Sequence, residues 1–298
     1  MKNKRFKQSG ITILSALFLL TGCSSNEELR IRIDGSVTVA PVTQAAVEDF
    51  AQTNRDIEIS VSNAGTGGGF KRFINGETDV HNASRTIKES EIADAAANGI
   101  EYYELEVGKD AIVIAVNKEN TWIQNVTSED LYNIYRADST INSWSDLDNN
   151  WPNEKINLYT PANDSGTFDY FHTVIMNHEE VRNDVTSSQD LNVLVTGVNG
   201  DENAIGFFGY AYYISSKDKI RPLSVNGVEP TEEAVMNELY QPLSRSLYIY
   251  VNKASYNEKQ AVKSFIDYYL EHARALVIEI GYPPLSDDRY AEQKAKLK

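Results

Sequence analysis

Short apolar runs alternate with amphipathic segments along the chain. The run "LRIRID" (Leu29–Asp34) alternates with the period of two that is typical of a strand, and "PVTQAAVEDFAQT" then places one helical face on Val42, Ala45, Ala46 and Phe50. Further strands are predicted at "IEISVS", "ETDVHNAS", "AIVIAVN" and "SLYIYVN". Helices are predicted at "GFKRFING", "KESEIADAAANG", "SEDLYNIYR", "TFDYFHTVIMN", "TEEAVMNEL" and "YNEKQAVKSFIDYYLEHARAL". This alternation predicts an α/β architecture with largely parallel sheets.

The predicted strand "AIVIAVN" is a continuous apolar run, as expected for a strand that is buried on both faces, and "SLYIYVN" is a second apolar strand. They could cross between two lobes, although the sequence pattern alone does not decide this. Beyond the N-terminal leader about 275 residues remain, which is room for two modest domains or one large one.

The N-terminus has the features of an export signal. "MKNKRFKQSG" carries four positive charges and no acid, and the apolar run "ITILSALFLL" that follows is too short to span a membrane. The following "LTGC" resembles the lipobox of bacterial lipoproteins, which implies cleavage before Cys23 and attachment of lipid to it. We therefore expect a signal peptide at 1–22, a lipidated tether at 23–26 and an extracytoplasmic protein anchored to the cell membrane. Cys23 is the only cysteine, so no disulfide is expected.

The chain is acidic. Its formal net charge is −15, and loss of the four basic leader residues would bring the mature part to about −19. Such a charge argues against nucleic acid and anionic membrane surfaces as partners. It does not exclude a bound anion, because a buried site is governed by local dipoles more than by screened surface charge.

One kind of turn, rich in glycine and hydroxyl groups, occurs three times between a predicted strand and a helix. The three turns are "IDGSVTVAP", "NAGTGGGFK" and "ANDSGTFDYF". The first N–H groups of a helix have no intrahelical acceptor, and together with the helix dipole they favour a bound anion. The small and hydroxyl-bearing residues placed there are Gly35, Ser36 and Thr38, then Thr66 and Gly67–Gly69, then Ser165, Gly166 and Thr167.

Taken singly, each turn fits plain helix capping, for which serine and threonine are ordinary residues. Capping needs one hydroxyl per helix, however, and has no need of three successive glycines. The three turns together therefore favour helix ends that converge on one tetrahedral oxyanion.

No enzymatic motif is evident. "GTGGGFKRF" fits neither the nucleotide P-loop nor the dinucleotide-binding fingerprint, and "NDSGT" is not a G-x-S-x-G nucleophile elbow. The four histidines show no metal-binding spacing, and "DLDNNW" departs from a calcium loop at its required glycine. We therefore expect no catalytic residue, no metal and no cofactor.

Arg85, in "NASRTIKES", stands at the end of a predicted strand. An exposed surface arginine is one interpretation. The other is a ligand-binding group, because open α/β sheets place such groups at the carboxyl ends of strands. A guanidinium there would add a planar set of donors to the neutral hydroxyls.

From about Ile31 to Pro284 the chain resembles the substrate-binding proteins of phosphate-specific ABC transporters, the PstS-like family. The resemblance is carried by "DGSVTVAP", "GTGGGFKRFINGETDVHNASR", "DSGTFDYF", "NAIGFFGYAYY" and "PLSRSLYIYV". It implies a two-lobe α/β fold of the periplasmic-binding-protein (Venus flytrap) type, with the ligand cleft between the lobes. We map lobe I to 27–108 and 247–298, and lobe II to 109–246.

The resemblance also implies a non-catalytic protein that captures inorganic phosphate and delivers it to an ABC-type membrane permease; we expect it to be a monomer. The implied phosphate-binding residues are Ser36, Thr38, Thr66, Gly67 and Arg85 from lobe I, and Ser165, Gly166 and Thr167 from lobe II.

The chain departs from the enterobacterial branch of this family in its charged residues. That branch has an aspartate, which accepts a proton from the ligand, where this chain has Arg85. It also has an arginine before its S-G-T, where this chain has Pro161 and Asn163. Asp164 is our candidate for the replacement acceptor, and capping of the following helix is its alternative role.

Three other functions stay open at this point. The same fold could act as a phosphate sensor or adhesin, it could bind another oxyanion such as sulfate or molybdate, or the chain could be an exported phosphatase with Ser165 as its nucleophile. The phosphatase is disfavoured because no base or metal set is visible.

Overall fold

The computed structural model describes residues 27–163 and 165–298. Within these ranges the strands are β1 (Arg30–Gly35), β2 (Glu58–Val61), β3 (Val80–Ala83), β4 (Tyr102–Asn117), β5 (Asn125–Val126), β6 (Asn157–Pro161), β7 (Thr186–Ser188), β8 (Ala204–Gly209), β9 (Ile220–Pro222), β10 (Ser224–Val225) and β11 (Ser244–Asn252). The predicted signal peptide, the tether with Cys23, and Asp164 lie outside the described residues.

The helices connect these strands and cover the sheet. They are α1 (Ala40–Ala51), α2 (Gly65–Ile74), α3 (Glu89–Ala97), α4 (Ser128–Tyr135), α5 (Gly166–Val174), α6 (Leu191–Gly200), α7 (Tyr210–Ser216), α8 (Glu232–Met236), α9 (Lys253–Glu258), α10 (Gln260–Ile280) and α11 (Asp287–Ala295), with a 3₁₀-helix at Trp144–Asp146. Among the described residues, none of these helices has the length and apolar character needed to cross a bilayer.

The predicted alternation of strands and helices is confirmed, but the prediction of largely parallel sheets is wrong for the middle of the molecule. The strand order is β2-β1-β3-β11-β4-β8-β6-β7, and β9 also pairs with β4. At both ends of this sheet the strands are parallel, whereas every pairing made by β4 or β11 within it is antiparallel. The two predicted apolar strands, which form parts of β4 and β11, are therefore the two that pair antiparallel with their neighbours.

The core of the molecule contains two large hydrophobic clusters. The residues of one cluster all fall between Ala111 and Leu243. The other cluster draws on two separate stretches of chain, Ile31–Val107 and Leu247–Tyr290. Strand β4 contributes to both clusters, and β11 begins directly after Leu243 of the first cluster and contributes Leu247, Ile249 and Val251 to the second, so these two strands connect the two halves of the molecule.

An irregularity marks the place where β4 and β11 pass from one half to the other. The register between them shifts at Leu247 and Tyr248, which face Gly108 and Glu106 on β4. A side chain at Gly108 would meet Val277 of α10, with its Cβ 3.0 Å from the nearest methyl carbon, so the long helix packs tightly on the crossing point. Such a bulge adds local bend and twist to a strand pair.

Candidate functional site

The first predicted turn, between β1 and α1, is built around a buried carboxylate. Asp34 accepts hydrogen bonds from the backbone N–H groups of Gly35 (2.8 Å) and Ala64 (2.9 Å) and pairs with Arg72 at 2.5 Å. Burial alone would raise the pKa of Asp34, but these bonds hold it below its ordinary value. Asp34 therefore ties the first turn to the second, since Ala64 directly precedes α2.

Gly35 allows the chain to turn in this crowded position. Its φ is +136°, and a Cβ there would lie 2.1 Å from the carbonyl oxygen of Asn82. No other residue type could adopt this conformation and leave the neighbouring backbone in place. The result is a close approach of the first turn to the end of β3.

The hydroxyls of this turn are not ordinary helix caps. Val39 occupies the N-cap position of α1 and makes no side-chain cap. Ser36 is buried and its Oγ accepts from the N–H of Thr38 at 3.2 Å. The hydroxyl of Thr38 accepts from the Nη2 of Arg245 at 2.8 Å, and its backbone carbonyl accepts from the hydroxyl of Tyr282 at 3.0 Å. Thr38 is thus fixed by two side chains from distant parts of the sequence.

In the second turn, the three successive glycines have different surroundings. A Cβ at Gly69 would lie 2.5 Å from Nδ1 of His81 and 2.6 Å from the Cα of Gly35, so tight packing requires this glycine. A Cβ at Gly67 would meet nothing within 4 Å. Gly67 is therefore free to bring its backbone to a ligand, while Gly69 has a structural role.

Thr66 connects the second turn to the end of β3. Its hydroxyl lies 3.1 Å from the hydroxyl of Ser84 and accepts from the Ser84 backbone N–H at 3.2 Å. As in the first turn, the N-cap residue of the helix, Ala64, makes no side-chain cap. Ser84 was not among the predicted site residues, although it directly precedes Arg85 in the quoted motif.

The third turn contains one conventional cap. Ser165 is the N-cap of α5, and its Oγ accepts from the backbone N–H groups of Thr167 (3.2 Å) and Phe168 (3.3 Å). The capping role considered for this turn is therefore present. Because both of these bonds use the lone pairs of Oγ, the O–H of Ser165 stays available as a donor.

The first and third turns face each other. A Cβ at Gly166 would lie 3.2 Å from the Oγ1 of Thr38, which is a tight contact, so the start of α5 lies close against the first turn. Two helix N-termini, those of α1 and α5, thus meet from opposite halves of the molecule. Each carries hydroxyl groups and the partial positive charge of its helix end.

A cavity of about 810 Å³ lies beside this meeting point. The predicted residues Thr66, Gly67 and Arg85 line it, together with Tyr170 and Arg245. A larger cavity of about 900 Å³, beside His172 and Arg182, contains none of the predicted site residues, so we assign it no part in the site. Among the described residues no group of histidine, cysteine, aspartate or glutamate side chains could hold a metal ion.

Arg85 lines the cavity, but its guanidinium is paired within the protein. Its Nη1 and Nη2 each donate to one carboxylate oxygen of Glu91 at 2.8 Å, and its Cζ lies 5.0 Å from the centre of the Phe70 ring. Burial would raise the pKa of Glu91, but the bonds from Arg85 and from the Lys88 backbone hold it below its ordinary value. The ligand-binding role of Arg85 stays a prediction.

Sequence reasoning missed Arg245, which lines the cavity, and Asp110, with which it forms a largely buried ion pair. They are direct cross-strand partners on β11 and β4. Nε and Nη2 of Arg245 donate to Oδ2 of Asp110 at 3.2 and 3.0 Å, and the guanidinium carbon lies 3.7 Å from the centre of the Tyr170 ring. Burial raises the pKa of Asp110, and the pairing with Arg245 opposes this effect. The signal available in the sequence was a charge at the start of each apolar strand.

Known proteins are similar to this chain over almost its whole length. A family model of the PBP superfamily domain matches residues 22–272. "Protein SphX" of Synechococcus elongatus is 40% identical over an alignment of 293 residues, which covers 96% of this chain and 86% of that protein. "Phosphate-binding protein PstS" of Staphylococcus saprophyticus is 34% identical over an alignment of 306 residues, which covers 99% of this chain and 94% of that protein.

A solved structure, described as a possible phosphate binding protein from Planctomyces limnophilus, superimposes with a TM-score of 0.85. The two chains are 37% identical, and the match covers 90% of this chain and 97% of that one. Together with the family model, this match confirms the two-lobe α/β fold that the sequence resemblance implied.

Proposed function

Because this chain belongs to the PBP superfamily, and within it to the PstS-like phosphate-binding proteins, we propose that it captures inorganic phosphate and delivers it to an ABC-type permease. The observation that carries the proposal is the approach of Gly166 to Thr38, which brings together two hydroxyl-bearing helix ends from opposite halves of the molecule. Preformed donors of this kind suit a tetrahedral oxyanion, because they need no rearrangement when it enters.

We propose the phosphate-binding residues in two groups. Ser36, Thr38, Thr66, Gly67 and Arg85 contribute from lobe I, and Ser165, Gly166 and Thr167 contribute from lobe II. The free backbone approach at Gly67 and the uncommitted O–H of Ser165 support this set. Asp164 is proposed as the acceptor of a phosphate proton, which would discriminate against sulfate because sulfate has no proton to donate.

The lobe boundaries are part of the same proposal: 27–108 with 247–298 for lobe I, and 109–246 for lobe II. The separation of the two large hydrophobic clusters along the chain supports them. A phosphate that contacts both lobes would favour the closed arrangement in proportion to its greater affinity for that state. The permease would then recognise the closed form.

We propose that the mature protein is exported and held at the cell membrane by lipid on Cys23. The basic leader, its apolar run and the "LTGC" sequence support this proposal. Replacement of Cys23 by alanine should release the protein into the medium, and labelled fatty acid should no longer be incorporated.

Isothermal titration of dialysed, ligand-free protein with orthophosphate tests the main proposal. We expect one phosphate per chain with a dissociation constant of about 1 μM or lower, because the proposed set offers several hydroxyl and backbone N–H donors and one guanidinium to the ion. Titration with sulfate and molybdate in parallel tests the alternative ligands. Absence of heat and of a thermal shift with orthophosphate would contradict the proposal.

A phosphate sensor and a transport protein would bind phosphate in the same way, and they differ only in the partner that recognises the closed form. Reconstitution with the permease in vesicles separates the two, since a transport protein should stimulate phosphate-dependent ATP hydrolysis.

A further inference from the structure

The side chain of Arg245 connects the two halves of the site. Its guanidinium donates to Thr38 on the first turn and to Asp110 on β4, and it stacks at 3.7 Å on the ring of Tyr170 in α5. Helix α5 is the one whose N-terminus carries the third turn. The side chain of Arg245 therefore contacts both Thr38 of the first turn and Tyr170 of α5, the helix that begins at the third turn.

The bond from Arg245 to Thr38 determines what the threonine hydroxyl can do. A hydroxyl has one O–H donor and two acceptor lone pairs. Because a cationic N–H occupies the acceptor side of Oγ1, the O–H of Thr38 must point elsewhere, and among the described residues it has no protein acceptor. The hydroxyl is thus left as a donor on the side where Gly166 approaches.

The carboxylate of Asp110 keeps the arginine in this orientation. Nε and Nη2, on one edge of the guanidinium, both donate to Oδ2 of Asp110, and Asp110 is almost wholly buried. The pair has no net charge, so Arg245 does not act mainly as a counter-charge for the ligand. The bond to Thr38 is nevertheless charge-assisted, and polarisation by the guanidinium strengthens the O–H as a donor.

We propose that Arg245 is a positioning residue for phosphate: held by Asp110 and Tyr170, it orients the Thr38 hydroxyl as a donor to the bound ion. This inference rests on the proposed function. It adds Arg245, which lies outside the three turns, to the residues that determine phosphate affinity. It assigns the effect of Arg245 to its hydrogen bond with Thr38.

A double-mutant cycle in phosphate affinity tests the inference. The wild type, Arg245→Gln, Thr38→Val and the double variant are titrated with orthophosphate by calorimetry, with thermal melting in the absence of phosphate as the check on folding. Each single substitution should weaken binding about 10- to 100-fold, the range expected for one charge-assisted hydrogen bond. The double variant should bind within about threefold of Thr38→Val, because Arg245 acts through Thr38.

Arg221→Gln is the matched control. Arg221 is also an internal arginine, but its guanidinium donates to the backbone carbonyls of Asn120 and Ile123, away from the turns. Its loss should lower the melting temperature and leave phosphate affinity unchanged. If Arg245→Gln does not fold because Asp110 is left unpaired, the cycle is run in the Asp110→Asn background.

The outcomes separate the two proposals. A wild type that binds no phosphate overturns the proposed function and this inference with it. A wild type that binds, with losses that add in the double variant, overturns only the role assigned to Arg245, because a purely structural arginine would still matter without the Thr38 hydroxyl. An affinity of Arg245→Gln equal to that of the wild type overturns it as well.

Discussion

His81 lies beneath the two glycine-bearing turns and has no exposed surface. Its Nδ1 is 3.1 Å from the carbonyl oxygen of Asp34, and its ring centre is 4.1 Å from that of Phe70. Gly35 and Gly69 both pack on this ring. Its Nε2 has no hydrogen-bond partner within the described part of the chain, so an added proton there would be buried without an acceptor.

This environment predicts an acid-sensitive stability. Burial lowers the pKa of His81 from 6.5 to about 4, so between these values the unfolded chain binds more protons than the folded one. The free energy of unfolding should therefore fall as the pH falls from 6.5 towards 4, by about 3 kcal/mol from this residue. Nearby charges that bear on the site are Asp34, Arg85 and Glu91. Urea unfolding at pH 7 and pH 4.5 measures the loss.

His81→Phe keeps an aromatic ring and removes the titrating group. The free energy of unfolding of this variant should therefore fall by about 3 kcal/mol less than that of the wild type as the pH is lowered. His178→Asn is the control, because His178 is exposed and has the left-handed φ of 66° that asparagine tolerates. An equal loss in His81→Phe and the wild type would show that another group is responsible.

The position of some predicted residues follows from local pattern. Thr66, Gly67 and Arg85 line the cavity beside the turns, and Gly166 faces Thr38, while their phosphate-binding roles stay predictions. Arg245 was missed because its partners are distant in the chain and depend on the register between two strands. A local pattern contains no information on that register.

At the level of elements, the three helices that begin at the turns differ in how their first N–H groups are satisfied. Helix α5 has a side-chain cap from Ser165, whereas the N-cap residues of α1 and α2 are Val39 and Ala64 and give none. The hydroxyls of Thr38 and Thr66, near the starts of α1 and α2, instead make hydrogen bonds with Arg245 and Ser84. This distribution supports a ligand at the uncapped ends.

Ser165→Ala should therefore have two effects. Loss of the cap should lower the free energy of unfolding by about 1 kcal/mol. Loss of the hydroxyl donor should also weaken phosphate binding about tenfold, which corresponds to one hydrogen bond. Urea unfolding and calorimetric titration measure the two effects separately.

Thr127→Ala provides the comparison. Thr127 caps α4 by accepting from the N–H of Asp130 at 3.0 Å, and it takes no part in the site. It should lose similar stability and bind phosphate as the wild type does. If Ser165→Ala behaves in the same way, the assignment of Ser165 to the phosphate site is wrong.

The elements themselves were predicted well where their periodicity is local, as in α1, where Val42, Ala46 and Phe50 are buried as the pattern required. The direction of β4 and β11 was not predictable. Apolar content indicates that a strand is buried on both faces, but the neighbours with which it pairs are set by the path of the whole chain.

At the level of the whole molecule, a charged cluster spans the point where the two halves join. Lys109 is buried, and its Nζ lies 2.8 Å from Glu106, 2.5 Å from Glu238 and 2.7 Å from the Ser246 hydroxyl. Glu106 also pairs with Arg289 of α11. Burial would raise the pKa of Glu106, but bonds from Lys109 and Arg289 hold it below its ordinary value.

Removing the central cation should destabilise the folded protein substantially. Lys109→Met leaves Glu106 buried with one partner fewer, and breaking a buried pair in this way costs about 3 kcal/mol or more. Lys253→Met, which breaks the exposed pair with Glu101, should cost less than about 0.5 kcal/mol. Chemical unfolding at neutral pH compares them, and a similar loss in both variants would mean that the buried cluster contributes no more than a surface pair.

The two crossings of the chain also bear on its biosynthesis. The cluster between Ala111 and Leu243 comes from one continuous stretch, so all of its side chains are present once about residue 243 has emerged. The other cluster combines residues of Ile31–Val107 with residues of Leu247–Tyr290. Its N-terminal residues can therefore be fully buried only after the C-terminal stretch has been synthesised. On a nascent or translocating polypeptide, the half formed by the middle of the chain is thus the first that can complete its core, and the half that contains the first two hydroxyl-bearing turns is completed last.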